Sequence, residues 1–165
     1  MTMTREISLG KSGKFAIVDV DDYEKITRWK WQYINSGYAN RVTNKGGRGK
    51  WVNVLMHRVI IDAPDDMKVD HINGNKLDNR KCNLRLATTT QNCQYKRQAR
   101  NNTSGFKGVT KNSRGNTWLA HININGKPTY LGSYPDAVTA AFVYNERAEK
   151  EFGEFALLND ISAFI

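Results

Sequence analysis

Asp70 and His71 stand side by side in the segment Val69-Asp70-His71-Ile72-Asn73-Gly74-Asn75. A carboxylate is a hard oxygen ligand and an imidazole titrates near neutrality, so one point of the backbone offers a metal ligand and a general base together. Asn83 follows His71 by 12 residues, just before Leu84-Arg85, and Asn92 follows Asn83 by 9, after Thr90-Gln91. An asparagine-rich turn would use Asp70, Asn73 and Asn75 for a blander purpose, satisfying its own backbone. What distinguishes the two readings is the whole pattern: a Gly-Asn turn after the pair, a second asparagine before Leu-Arg, and a third at the start of a helix.

The elements that must position these residues belong to a strongly basic chain. With 25 Lys plus Arg against 16 Asp plus Glu in 165 residues, the net charge of +9 favours a polyanionic partner. The 57 positions between Asp78 and Asp136 hold no carboxylate at all, yet they contain Arg80, Lys81, Arg85, Lys96, Arg97, Arg100, Lys107, Lys111, Arg114 and Lys127. No long apolar run or basic amphipathic helix accompanies them, so nucleic acid is expected rather than a membrane. No signal-peptide core opens the chain and no stretch reaches membrane-spanning length, so a soluble, cytoplasmic protein is expected. Two cysteines, Cys82 and Cys93, make neither a disulfide scaffold nor the close paired spacing of a structural zinc site, and no structural zinc is expected.

Upstream of the pair, residues 15–56 alternate apolar and polar types in short runs, a β-rich pattern. Strands are predicted over 15–20, around Trp29, Trp31 and Tyr33, over 38–43 after the Asn35-Ser36-Gly37 turn, and over 51–56. Asp21-Asp22 is predicted to cap one helical turn over 23–27. Three or four of these strands form a small antiparallel sheet with the tryptophans as its core, and Lys45 to Lys50 is a basic loop suited to phosphate. Residues 56–61 read as a short helix or strand. His57 and Arg58 there have two readings, approach to a phosphate or a hydrogen-bonding role inside the fold.

The segment around Asp70 and His71 resembles the HNH nuclease motif, in the Asp-His...Asn...Asn form of phage and intron homing endonucleases. The resemblance implies a ββα core in which Asp70 and Asn92 hold one divalent cation, magnesium or manganese, His71 takes a proton from water, and Asn83 fixes the loop and orients the histidine. Many relatives end the motif with a metal-binding histidine where this chain has Asn92. With so few protein ligands, the resemblance implies weak metal binding until DNA phosphate completes the shell.

After Asn92 a basic helix is expected whose Lys96, Arg97 and Arg100, with no balancing acid nearby, contact DNA phosphate, then a linker at 101–105. Beyond it, strands are predicted over 106–110, 118–124 and 128–134, with Asn125-Gly126 a type I′ hairpin turn, and a helix from cap Asp136 to about Phe152. An alanine stripe (Ala137, Ala140, Ala141, Ala148) lets that helix lie close to the sheet. Alternation turns Trp118, Ala120, Ile122 and Ile124 to the helix and leaves Leu119, His121 and Asn123 on the open side. Phe106-Lys107-Gly108-Val109, Trp118 to Ile122, Tyr130 to Tyr134 and Ala140 to Tyr144 are similar to the APETALA/ethylene-response-factor DNA-binding domain. In that family the open sheet face enters the major groove of DNA. Position by position, the resemblance implies Lys107, Thr110, Asn112, Arg114, His121, Asn123 and Tyr130 as base readers, with Thr110, Asn112, Asn123 and Pro128 weaker or silent substitutes for the plant arginines, and Lys111 is a further expected DNA contact.

The fold class expected is therefore α+β: an HNH nuclease domain over 1–100 (sheet 7–56, ββα-metal motif 57–100), a linker over 101–105 and an APETALA-like DNA-binding domain over 106–160. The function expected is a metal-dependent, site-specific DNA endonuclease acting on double-stranded DNA. Rival readings are a DNA-binding regulator without catalysis and a nuclease with little sequence preference. No heptad seam marks a dimer, so monomer or dimer, and nicking or double-strand cutting, stay open.

Overall fold

The structure, a computed structural model, describes residues 3–89, 91 and 102–164. The fold is α+β, and it divides into two compact units, Met1–Thr88 and Thr89–Ile165. Among the described residues, no helix is long and apolar enough to cross a membrane.

The first unit begins with an antiparallel pair, β1 (Thr4–Ser8) and β2 (Phe15–Asp19), in which Ile7 faces Ala16. The sequence pattern misses β1, because only Ile7 of its residues is buried and the rest reads as polar terminus. α1 (Val20–Thr27) follows directly. The predicted Asp21-Asp22 cap is corrected: both lie within the first turn, and Asp19 holds the cap position without a side-chain capping bond. The Asp19 carboxylate instead accepts the Lys81 backbone N–H at 2.8 Å, and Lys81 Nζ donates to Asp22 at 2.9 Å. Acids that ordinarily favour a helix start thus also anchor a distant loop.

β3 (Gln32–Tyr33), β4 (Ala39–Asn44) and β5 (Trp51–Leu55) form an antiparallel sheet in the order β3-β4-β5. Of the tryptophans, Trp31 is core: it is 3% exposed and its indole N–H donates to Ile26 O at 2.8 Å. Trp29 packs half-buried against that core, with the Arg41 guanidinium 4.4 Å from its ring centroid. Trp51 departs from the expectation, for it is 64% exposed.

α2 (Met56–Ile60) turns the chain from this sheet to the next pair. Met56 and Ile60 drop into the core with Val18, Ile26 and Leu84. Arg58 binds three backbone carbonyls, those of Met67, Ala63 and Pro64, so its role is to tie α2 to the loop before the next strand.

The second unit is a three-stranded antiparallel sheet, β8 (Val109–Lys111), β9 (Trp118–Ile124) and β10 (Lys127–Tyr134), packed on α3 (Ala137–Phe152). The first strand is shorter than predicted because Phe106 to Gly108 form a turn, with Gly108 at φ +75°. Asn125 and Gly126 both have positive φ, 51° and 81°, as a type I′ turn requires. Asp136 caps α3 by accepting the Thr139 N–H at 2.8 Å, and Gly153 ends it at φ 52°. Ala120, Ile122, Ala140, Ala141 and Ala148 are buried between sheet and helix, as the alternation predicts. Residues 102–105, expected as a linker, form a turn in which the Asn102 side chain accepts from the N–H groups of Ser104 and Gly105 and donates to Phe106 O.

Candidate active site

β6 (Lys68–His71) and β7 (Leu84–Ala87) pair antiparallel, with Asp70 opposite Arg85 and His71 opposite Leu84. The twelve residues between them close on themselves through asparagine side chains. Asn83, 5% exposed, accepts the Asn73 N–H on its amide oxygen at 2.9 Å and donates to Asp78 O at 2.7 Å, gripping the loop at two points. Asn73 in turn donates to the Asp78 carboxylate and accepts the Asn75 N–H, both at 2.8 Å. Arg80 makes a bidentate pair with Asp78, at 2.7 and 2.6 Å, which holds the Asp78 carboxyl below the usual carboxylate range. The loop is strapped to β2 by Ile17, whose N–H donates to Leu77 O and whose carbonyl accepts from Asn79. Nearly every polar group in the loop therefore has an internal partner, and the end of β6 is a fixed platform.

On that platform Asp70 and His71 are both buried. Arg85 Nε and Nη2 both reach Asp70 Oδ2, at 2.9 and 2.7 Å, so the ion pair does not engage Oδ1. The His71 ring Nε2 lies 3.4 Å from the Asn79 amide oxygen. Burial pushes the His71 imidazole below its ordinary pKa; the Asn79 contact, Asp70 and Asp78 oppose that shift without cancelling it. The imidazole is thus neutral at neutral pH, the form a base needs.

Two further rings surround His71. His57 from α2 stands edge-on to it at 5.0 Å between centroids, and Tyr38 lies 5.9 Å from His71 and 5.0 Å from His57. Burial first, then His71 and Arg58, lowers the His57 pKa to about 3, and its Nδ1 is buried without a hydrogen-bond partner. Burial and then Asp70 raise the Tyr38 hydroxyl. Sequence spacing does not bring this cluster together, since its members lie on separate elements; the His57-Arg58 pair upstream of the motif was its one available signal.

Of the sequence-predicted residues, Asp70, His71 and Asn83 come together here. Asn92, Lys96, Arg97 and Arg100 lie outside the described residues, although Thr89 and Gln91 have helical backbone. Among the described residues, no group of three or more His, Cys, Asp or Glu is placed to hold a metal. Asn79, missed in the sequence among many asparagines, is the amide in contact with His71. In the second unit, cross-strand register sets Thr110, His121, Asn123 and Tyr130 on the open sheet face, with His121 and Tyr130 rings 5.4 Å apart. Lys111 pairs with Trp118 and so belongs to the other face. Asn112 and Arg114 shape the β8–β9 turn, where Asn112 donates to Thr117 Oγ1 and accepts the Arg114 N–H. Lys107 sits half-buried before β8, and burial lowers its pKa to about 8.

The antiparallel pair, with its carboxylate and imidazole beside an asparagine-locked loop, lies within the segment that comparison with known proteins matches to a nuclease family. Residues 54–94 match the family model described as HNH endonuclease. The chain is 38% identical over 151 residues, 90% of its length and 76% of the relative's, to an uncharacterized HNH endonuclease of Acanthamoeba polyphaga mimivirus. It is 32% identical over 93 residues, 56% of its length and 76% of the relative's, to Protein 3.8 of Escherichia phage T7. No solved structure matches it. The chain belongs to the HNH endonuclease family.

Proposed function

We propose that this protein is a metal-dependent, site-directed DNA endonuclease of the phage or homing type, in which His71 is the general base. The observation that carries the reading is the neutral, buried His71 ring set against the Asn79 amide at the end of β6. When Nε2–H donates to the Asn79 oxygen, the free lone pair is on Nδ1, and that nitrogen takes the proton of the attacking water. Asn83 acts through the loop backbone, keeping the β6 end and Asn79 in place. Asn79 is the positioning residue that sets the tautomer.

The donor chemistry fits a hard divalent cation: Asp70 has a carboxylate oxygen outside its ion pair with Arg85, and an asparagine side chain offers a carbonyl oxygen. Asp70 and Asn92 would hold the ion, magnesium or manganese, with DNA phosphate completing the set. Bound there, it supplies positive charge to the phosphate oxygens and to the departing 3′ oxygen. The open sheet face of the second unit, through Thr110, His121, Asn123 and Tyr130, reads base edges in the manner of the APETALA-like domain, and Lys96, Arg97, Arg100, Lys107, Lys111, Asn112 and Arg114 serve phosphate or turn contacts.

The test is cleavage of double-stranded DNA bearing a site enriched by binding selection from random sequence, with magnesium, manganese or chelator. Magnesium- or manganese-dependent cutting at the selected site is expected. Specific binding with no cutting under any metal would leave a regulator, and cutting of all DNA equally would leave a nuclease without the reader.

A further inference from the structure

The β4–β5 hairpin carries a large aromatic side chain that the fold does not bury. Trp51 is 64% exposed and Val42 is 47% exposed, while Trp31, just before β3, is 3% exposed. In the register Asn44 lies opposite Trp51 and Val42 opposite Asn53, so these four side chains share one face of the ribbon. Asn44 and Asn53 are exposed as well; their amide oxygens accept from Gly46 N–H at 3.0 Å and Asn40 Nδ2 at 2.7 Å, which orients the two side chains and leaves their NH₂ groups as the donors. The loop that joins the strands is closed by Lys45 N–H donating to Lys50 O at 3.0 Å, and it presents Lys45, Arg48 and Lys50 to solvent.

Charge identifies the partner. The 37 residues from Lys25 to Ile61 contain no carboxylate and eight cations, a second acid-free span besides the one after Asp78. A flat apolar ring, two amides and three cations on one hairpin match the three surfaces of a duplex: the sugars and thymine methyls, the base-edge acceptors, and the phosphates. A two-stranded ribbon has the width to enter a DNA groove.

We propose that this ribbon face is a DNA-groove contact of the nuclease, with Trp51 as its apolar anchor, Asn44 and Asn53 at base edges, and Lys45, Arg48 and Lys50 on the flanking phosphates. It lies N-terminal to residues 54–94, which match the family model, and it rests on DNA being the substrate.

The experiment is binding of the full-length chain to a labelled duplex carrying the selected site, over a salt series, for the parent, Trp51→Ala and the triple Lys45→Gln/Arg48→Gln/Lys50→Gln. Trp51→Ala should weaken binding by about 5-fold or more, the loss expected for truncating an anchoring aromatic side chain at an interface. The triple should flatten the dependence of log affinity on log salt by about 2 to 3, one contact per cation. Thermal unfolding of Trp51→Ala should match the parent, because the ring touches little of the fold. Sedimentation and binding to phosphatidylserine vesicles complete the set. Parent-like DNA affinity in Trp51→Ala overturns the inference, as does a dimer that this change dissociates or vesicle binding that it abolishes while DNA affinity holds. A parent that binds no DNA at all instead overturns the nuclease reading on which the inference rests.

Discussion

Replacing Asn83 by alanine removes both bonds with which it grips the loop, the 2.9 Å bond from the Asn73 N–H and the 2.7 Å bond to Asp78 O. Asn83 is 5% exposed and the alanine methyl offers no replacement for the amide, so the buried Asp78 carbonyl loses its partner and the exposed Asn73 N–H is left to solvent. Stranding the buried Asp78 carbonyl costs about 1–3 kcal/mol, and losing the bond to the more exposed Asn73 N–H costs about 1 kcal/mol, for a total of roughly 2–4 kcal/mol. For a folding unit the size of Met1–Thr88, that lowers the unfolding midpoint by roughly 10–25 °C. Urea unfolding followed by circular dichroism measures the loss, and amide exchange of Asn73 reports the same bond directly. A loss under about 0.5 kcal/mol, with Asn73 exchanging as in the parent, would refute the view that Asn83 locks the loop.

Three other outcomes follow from the same geometry. His57, held at a folded pKa of about 3 against an ordinary 6.5, binds a proton in the unfolded chain but not in the folded one between those values, so it makes stability fall as pH drops from about 6.5 toward 3. From pH 7.5 to 5 the parent should lose about 2 kcal/mol that His57→Gln does not lose; equal slopes in urea titrations would show the ring is not buried neutral. Gly108→Ala adds a methyl at φ +75° directly into the Tyr144 ring and His121 O, so the second unit should lose about 2–4 kcal/mol by calorimetry, and a parent-like melt would mean the turn relaxes freely. Asn79→Asp, with the amide replaced by an anion against His71, should raise the pH at which cutting reaches half its maximum, whereas a purely structural Asn79 would change the rate without moving the profile.

The second unit was largely legible in its sequence because its signals are local. Alternation of Ala120 and Ile122 with His121 and Asn123 fixes the faces of β9, and Asp136 and Gly153 bracket α3. Where signals depend on partners, the pattern fell short. β1 has one buried residue, and Asp21-Asp22 looks like a helix cap until Lys81 is seen, whose Nζ pairs with Asp22 and whose backbone N–H donates to Asp19. At the site, the motif located Asp70, His71 and Asn83. It did not separate Asn79 from its neighbouring asparagines, since one amide looks like another until a ring nitrogen lies 3.4 Å away. Nor does spacing bring Tyr38 and His57 to His71, which requires α2 and the β3-β4-β5 sheet to be folded first. Trp51 misled in the opposite direction, since alternation marks a face but cannot say whether anything covers it.

The most direct measurement is the single-turnover rate of cutting at the selected site by the parent and by His71→Ala, with DNA binding of both measured in parallel. If His71 is the base, the variant binds DNA as the parent does and cuts about 10²- to 10⁴-fold more slowly. Cutting by His71→Ala at the parent rate would contradict the account.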